Sequence, residues 1–331
     1  MARARDLRKD ARELIAQGIS PLEHRTDEMI EKRAVLCNTL EKVVTQWLVI
    51  KRSKVSDDHA DDIYRSLEKH IFPRLGQTAI TDITAPRTIE VIKRIAAGGS
   101  LETVKRLCQR LNEVMVYATN TGLIHHNPLS GIRDAFQTPK KQHLPTLKPE
   151  ELPELIKALS RASIRLQTRC LIEWQLHTMV RPSEAAGATW DEIDFEDNLW
   201  QIPAERMKRK RPHTVPLTPQ TLSILEEMKP LSDHRVHIFP GINNPKIAMN
   251  SSTANMALKR MNFSGRLVAH GFRSIASTTL NEQGFEPDVI ESALAHVIGN
   301  EVRAAYNRAE YLEQRREMMN WWSLHIENAS R

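Results

Sequence analysis

Only four tyrosines occur in this chain of 331 residues, so each can be weighed as a nucleophile. Tyr64 and Tyr117 fall at core-like spacings among apolar residues. Tyr306 and Tyr311 lie in AAYNRAEYLEQRRE, a strongly charged stretch where a phenol is either a surface aromatic or a reachable nucleophile. His270 and Arg273, in HGFR, are three residues apart. In a helix they share a face, and imidazole and guanidinium can converge on one anion. Arg181, in HTMVRPSEAAG, follows an apolar run and needs an anionic partner there. Glu184 can supply it, leaving Arg181 as half of a structural ion pair or as a substrate-phosphate cation anchored by that carboxylate. Lys208, in ERMKRKRPHTVPL, falls in a turn between two expected strands. An ammonium there is a solvated charge or a proton donor reaching into a nucleic-acid groove. His296 precedes Tyr306 by ten residues, in ALAHVIGNEVRAAY; a single histidine on an apolar helix is commonly a core residue. His177, His213, His270 and His296 lack the i, i+3 or i+4 spacing and carboxylate partners of a metal centre. No HExxH and no glycine-rich phosphate loop occurs.

The rest of the chain limits what those residues can serve. Length alone suggests about two domains. Hydrophobic residues make up 40% and charged residues 27%, as in ordinary globular chains. No uncharged apolar run reaches the ~18–20 residues that span a bilayer, and MARARDLRKDARELIAQGIS has no apolar segment of the signal-peptide kind. Cys37, Cys108 and Cys170 are scattered and odd in number, which argues against a disulfide framework and suits a reducing cytoplasm. The net charge is +6, a weak footprint of polyanion binding. Five acids within 191–197 are followed by five bases within 206–211, a segregation that can point one basic element at a phosphate chain.

The elements that must position these groups are mainly helical. Residues 1–18 read as a helix stopped by Gly18, and a connector runs to Cys37. Asn38 can cap a helix carrying Leu40, Val43, Val44, Trp47 and Leu48. Ser56 can cap a second, with Ile63, Leu67 and Ile71, ended by Pro73 and Gly76. Thr84-Ala85-Pro86 opens a third. Ser100 caps a long fourth with Leu101, Val104, Leu107, Leu111, Val114 and Val116. These form an all-α domain over 38–135. Residues 136–149, with three prolines and three lysines, read as a basic linker. A helix starts at Pro149, an apolar one covers 164–180, and short strands with turns near 196–198 and 207–211 occupy 189–217. Helices resume from Pro219. The fold class is mainly α with a small β-sheet, and the second domain is 150–331.

In order along the chain, Arg181, Lys208, His270, Arg273, His296 and Tyr306 resemble the catalytic series of the tyrosine recombinases, the phage integrase family. MVRPSEA, WDEIDFEDNLWQIPAERMKRKRPHTVPLT, HGFRSIASTTLNEQG and LAHVIGNEVRAAYNRAEYLEQRREMMNWW carry the likeness, which covers roughly 38–331 and is nearest to integrases of satellite phages, prophages and genomic islands. The resemblance implies a helical core DNA-binding domain followed by a catalytic domain that cuts and rejoins DNA through a 3′-phosphotyrosyl intermediate. Tyr306 is then the nucleophile, with Tyr311 the alternative. Arg181 and Arg273 hold the non-bridging oxygens, Lys208 (or Lys210) protonates the leaving 5′-oxygen, His270 assists proton transfer, and His296 binds the scissile phosphate. No cofactor and no metal is implied. The implied partners are double-stranded attachment-site DNA, three further copies in a tetramer, and an excisionase or DNA-bending accessory proteins. The apolar tail around Met318, Met319, Trp321 and Trp322 either docks on a neighbour or packs on its own domain. Two departures stand out. The spacing from His296 to Tyr306 is one residue longer than in some branches. Residues 1–37 look like the closing helix and connector of an arm-site domain that the chain lacks. A truncated, inactive DNA-binding remnant or regulator is therefore the alternative, and a nicking-closing topoisomerase is the rival enzyme.

Overall fold

In the computed structural model, residues 38–140, 143–296 and 311–329 are described, with scattered positions between 12 and 26. The N-terminal helix and connector expected over 1–37, and Tyr306 with its surroundings, lie outside the described residues. The chain divides into two compact units, Met1–Lys141 and Gln142–Arg331, each with its own apolar core. No helix among the described residues is long and apolar enough to cross a membrane.

Helix α1 (Leu40–Arg52) is capped by Thr39, whose hydroxyl accepts from Lys42 N at 3.5 Å, and not by Asn38. The Asn38 carbonyl is engaged instead by Ile80 N, at 2.9 Å, beside an isolated bridge between Thr39 and Ala79. All five expected apolar positions of α1 are buried. Ser56 caps α2 (Asp57–His70) as expected. Pro73 is not the stop of that helix. It opens a separate short helix, α3 (Phe72–Leu75), where a missing N–H costs nothing. Pro86 likewise sits in the first turn of α4 (Ala85–Ala97). The long α5 (Leu101–Asn120) begins after Ser100, but the Ser100 side chain makes no capping bond. Its buried stripe is Val104, Leu107, Cys108, Leu111, Val114, Met115 and Ala118. Val116 is exposed, because two residues past Val114 is about 200° around a helix.

In the second unit, part of the stretch read as linker is packed. Leu147 is buried in the core, Pro145 O accepts from Val268 N, and the Thr146 hydroxyl donates to Gly271 O at 3.0 Å. A Cβ on Gly271 would lie 2.8 Å from Pro145 O, so only glycine admits this backbone approach. Then follow a 3-10 turn (Pro149–Glu151), α6 (Leu152–Arg161) and the apolar α7 (Leu166–Thr178). Helix α7 is buried almost all round, with Trp174 tilted against Trp200 and Phe239 at 5.0 and 6.2 Å between ring centres. After the short α8 (Pro182–Ala186) comes an antiparallel sheet of β1 (Ile193–Asp194), β2 (Leu199–Ile202) and β3 (His213–Pro216), in that order. Its register pairs Trp200 with Ile193 and Val215, and Ile202 with His213.

The remaining described helices are α9 (Pro219–Ser232), α10 (Thr253–Arg260), α11 (Gly271–Glu282), α12 (Pro287–Ala293) and α13 (Leu312–Asn328). Helix α13 answers the question about the tail. Met318, Met319, Trp322 and Ile326 are buried in their own unit's core, and Trp322 Nε1 donates to Leu176 O at 2.9 Å. Trp321 packs edge-on against Phe285. The docking alternative therefore loses to packing at home. A buried chain running from His177 through Ser323 to Thr218 (2.9 and 3.0 Å) ties α7, α13 and the start of α9 together.

Candidate active site

Helix α7 ends in a left-handed residue, Met179 (φ +57°), so the chain turns sharply and Arg181 becomes the residue before α8, with Pro182 in the first helical turn. Glu184 closes a capping box there. Its carboxylate accepts from Arg181 N at 2.9 Å and from Arg181 Nη1 at 2.8 Å. The carboxylate is 2% exposed and the guanidinium side chain 15% exposed, so the pair is buried at the acid and open at the base. That is the geometry of a cation aimed outward by a fixed anion.

Arg273 sits one turn into α11 and is almost fully buried. Its Nη1 donates to Met179 O, and its Nη2 donates to Leu294 O and lies 3.0 Å from His296 Nε2. Arg181 Nη2 reaches the next carbonyl, Ala295 O, at 3.4 Å. Both guanidiniums thus end on the C-terminal turn of α12. The last carbonyls of a helix lack partners within it and carry the negative end of its dipole. A left-handed Ala295 (φ +47°) turns them toward the cations. Each left-handed non-glycine residue costs on the order of 1–2 kcal/mol, and both turns that hold Arg273 contain one. Burial and the neighbouring Arg181 push Arg273 down to about 10, which leaves it charged at neutral pH.

His296 follows directly. Its Nδ1 is 2.8 Å from Glu291 Oε2. Because Arg273 can only donate, Nε2 accepts, so Nδ1 carries the proton and donates to Glu291. His270, the residue before α11, is exposed at the site's mouth. Partial burial, then the charges of Arg273, Arg181, His296 and Lys208, lower its pKa. The charges of Arg273, Arg181 and Lys208 therefore all act on one imidazole. Lys208 lies exposed in the β2–β3 loop, and its ammonium has no hydrogen bond or ion pair among the described residues. Lys210, the fallback, is left-handed (φ +53°) and donates to Glu205 O at 3.3 Å.

Arg206 departs from the rest of the basic cluster. Arg206 does not face solvent with its neighbours. It turns inward, pairs with Glu192, and donates to Glu184 O at 2.7 Å. Glu291 went unnoticed in the sequence, and His213 was weighed there only as a metal ligand. Glu291 is five residues from His296, off the helical i, i+4 spacing. His213 sits at the start of β3, and burial, then Arg315, pushes its pKa to about 3.

Residues 145–313 match the model of the phage integrase family, and residues 40–135 match that of the phage integrase central domain. Prophage integrase IntA of Escherichia coli K12 is 53% identical over 320 residues, covering 97% of this chain and 78% of that protein. The chain belongs to the phage integrase family. The integrase of enterobacteria phage P4 is 34% identical over 347 residues, covering 99% of this chain and 77% of that one. A structure of a lambda integrase tetramer bound to a Holliday junction shares the fold, with a TM-score of 0.66 at 17% identity over 88% of this chain and 87% of that one. As a phage integrase the protein is a site-specific tyrosine recombinase, and the remnant alternative is not favoured. Arg181, Arg273 and His296 meet in this integrase at the C-terminal turn of α12, and His270 lies within electrostatic reach of them and of Lys208. The nucleophile expected at Tyr306 lies outside the described residues. Tyr311, at the start of α13, packs its ring against the core.

Proposed function

We propose that this integrase cuts and rejoins attachment-site DNA with Arg181, Lys208, His270, Arg273, His296 and Tyr306 as its catalytic residues. The supporting observation is that two guanidiniums and the His296 ring gather on consecutive backbone groups of one turn, from Leu294 to His296. A phosphodiester brings two non-bridging oxygens, which compete with those carbonyls for the guanidinium protons and bind in planar, charge-assisted fashion. With the phosphorane's charge offset, the phenol of Tyr306, ordinarily near pKa ~10, becomes a competent nucleophile. It attacks phosphorus, the P–O5′ bond breaks, and Lys208 gives a proton to the departing oxygen. His270, held neutral by its surroundings, takes the phenolic proton. For His296 to hydrogen-bond the phosphate, its Nε2 must leave Arg273 and take up a proton, because phosphate oxygens only accept. Attack by a second strand's 5′-hydroxyl reverses the step, and the ester conserves the bond energy.

The partner is double-stranded DNA. We infer that the helical unit (38–135) and the catalytic unit (150–331), joined by 136–149, both contact the duplex, with phosphate contacts dominating affinity and making it salt-dependent. The lambda structure of a tetramer on a Holliday junction favours four protomers here; an excisionase or DNA-bending protein would set direction. The test is a suicide substrate nicked next to the cleavage site. Wild-type protein traps a covalent adduct, and Tyr306→Phe binds the same DNA without trapping. An adduct that survives Tyr306→Phe and disappears in Tyr311→Phe overturns the choice of nucleophile.

A further inference from the structure

Arg206 is separated from Lys208 only by Met207, and Met207 is buried. The three residues end the 3-10 turn that follows β2 (Ala204–Arg206) and open the exposed loop. Arg206 and Met207 are the last two side chains to point inward before that loop leaves the body of the unit, and Arg206 is the one held by polar contacts. Its Nη1 pairs with Glu192, whose Oε2 also accepts from Trp200 Nε1 at 2.8 Å and Thr189 N at 3.3 Å. Its Nη2 donates to the backbone carbonyl of Glu184 at 2.7 Å. Glu184 is the residue whose carboxylate holds Arg181. One residue thus serves two anchors, its side chain fixing a phosphate-binding guanidinium and its carbonyl fixing the root of the loop that carries the proton donor. Gly187 opens the space. A Cβ there would lie 2.8 Å from Arg206 Nη2 and 3.1 Å from Ser183 O.

We propose that Arg206, clamped between Glu192 and the Glu184 carbonyl and admitted by Gly187, is a positioning residue that holds the Lys208 loop in register with Arg181. The inference rests on the reading of Lys208 as the proton donor. An exposed lysine on an untethered loop samples many positions, and proton transfer requires it within about 3 Å of the leaving oxygen at the moment of cleavage. The tether restricts that loop without touching the DNA.

The leaving group separates positioning of Lys208 from general support of the fold. With an ordinary phosphodiester the P–O5′ bond breaks and the oxygen takes a proton from the lysine. With a 5′-bridging phosphorothiolate the P–S bond breaks and sulfur departs as a thiolate without one. Two variants avoid stranding the Glu192 carboxylate: Arg206→Lys, which keeps the charge but cannot span both acceptors, and Gly187→Ala, which displaces the guanidinium. Both are assayed on nicked duplexes built on the attachment sequence flanking the gene, beside Lys208→Ala and wild type. We expect each to cleave the ordinary substrate about 10-fold or more slower than wild type, and the phosphorothiolate within about 3-fold of it. Equal slowing on both substrates, or wild-type rates on both, overturns the role of Arg206. Should Arg206→Lys fail to fold, Gly187→Ala decides alone. If Lys208→Ala is itself not restored by sulfur, the proton-donor assignment is wrong and the inference falls with it. If Lys208→Ala is restored and the tether variants are not, only the inference falls.

Discussion

Replacing Glu184 by glutamine tests whether Arg181 is held by charge and geometry together. The native carboxylate presents two oxygens to two donors, the backbone N–H and Nη1 of Arg181. A glutamine amide has one oxygen and one NH2. Whichever way it is turned, its NH2 faces a donor, so one bond to a charged or capping group is lost, at about 1.5–3 kcal/mol. The guanidinium also loses its buried counter-charge. Breaking a buried pair typically costs about 3–5 kcal/mol; because Arg181 keeps some contact with solvent, the low end applies, about 3 kcal/mol. At roughly 2–4 °C per kcal/mol for a unit of this size, melting of the catalytic unit should fall by about 6–12 °C. Tryptophan fluorescence is a suitable probe, since five of the six tryptophans (all but Trp47) belong to that unit. Covalent trapping of DNA should drop by about 10²-fold, the loss expected when a transition-state donor is displaced. A melting point within about 2 °C of wild type, with undiminished trapping, would refute the reasoning.

Glu173 supplies a pH dependence. Burial, then the charge of Glu227, raises its pKa to about 7 from the usual 4.5. The folded state therefore holds this proton more tightly than the unfolded chain. Stability should decline as pH rises from about 4.5 to about 7 and then level off. Glu173→Gln should remove that slope, gaining about 1–2 kcal/mol at pH 8 after allowance for partial exposure and nothing at pH 4.5; denaturant melts at the two pH values check it, and an equal effect at both contradicts it. Gly271→Ala should force Pro145 and Thr146 off the start of α11, costing about 1–3 kcal/mol and slowing cleavage through His270 and Arg273. Unchanged stability in thermal melts would show that the close approach is dispensable.

The helical first unit was legible because its apolar positions recur at helical spacing. Leu40 to Leu48 in α1 needed nothing beyond that spacing, and Val116 failed only where it left the stripe. Pro73 misled because proline reads equally as the end of one helix and the start of another. The cations of the site were visible as residue types in order, and Glu184 was visible because a capping acid sits three residues after the residue it caps. The groups that hold Arg273 were not visible. Its acceptors are carbonyls of Met179 and Leu294, and a backbone oxygen has no letter in a sequence. Arg206 was misread because five clustered bases look alike until one is turned toward an acid fourteen residues earlier.

The carbonyl ledge at the end of α12 has a consequence for selectivity. Between rounds of strand exchange, Arg273 and Arg181 already have oxygen partners there. A stray chloride, nucleotide or inorganic phosphate gains little by displacing them, because it trades one acceptor for another. A duplex differs by bringing further contacts along its backbone, so occupancy is decided by the length of nucleic acid engaged. The arrangement therefore favours a long polyanion over small free anions.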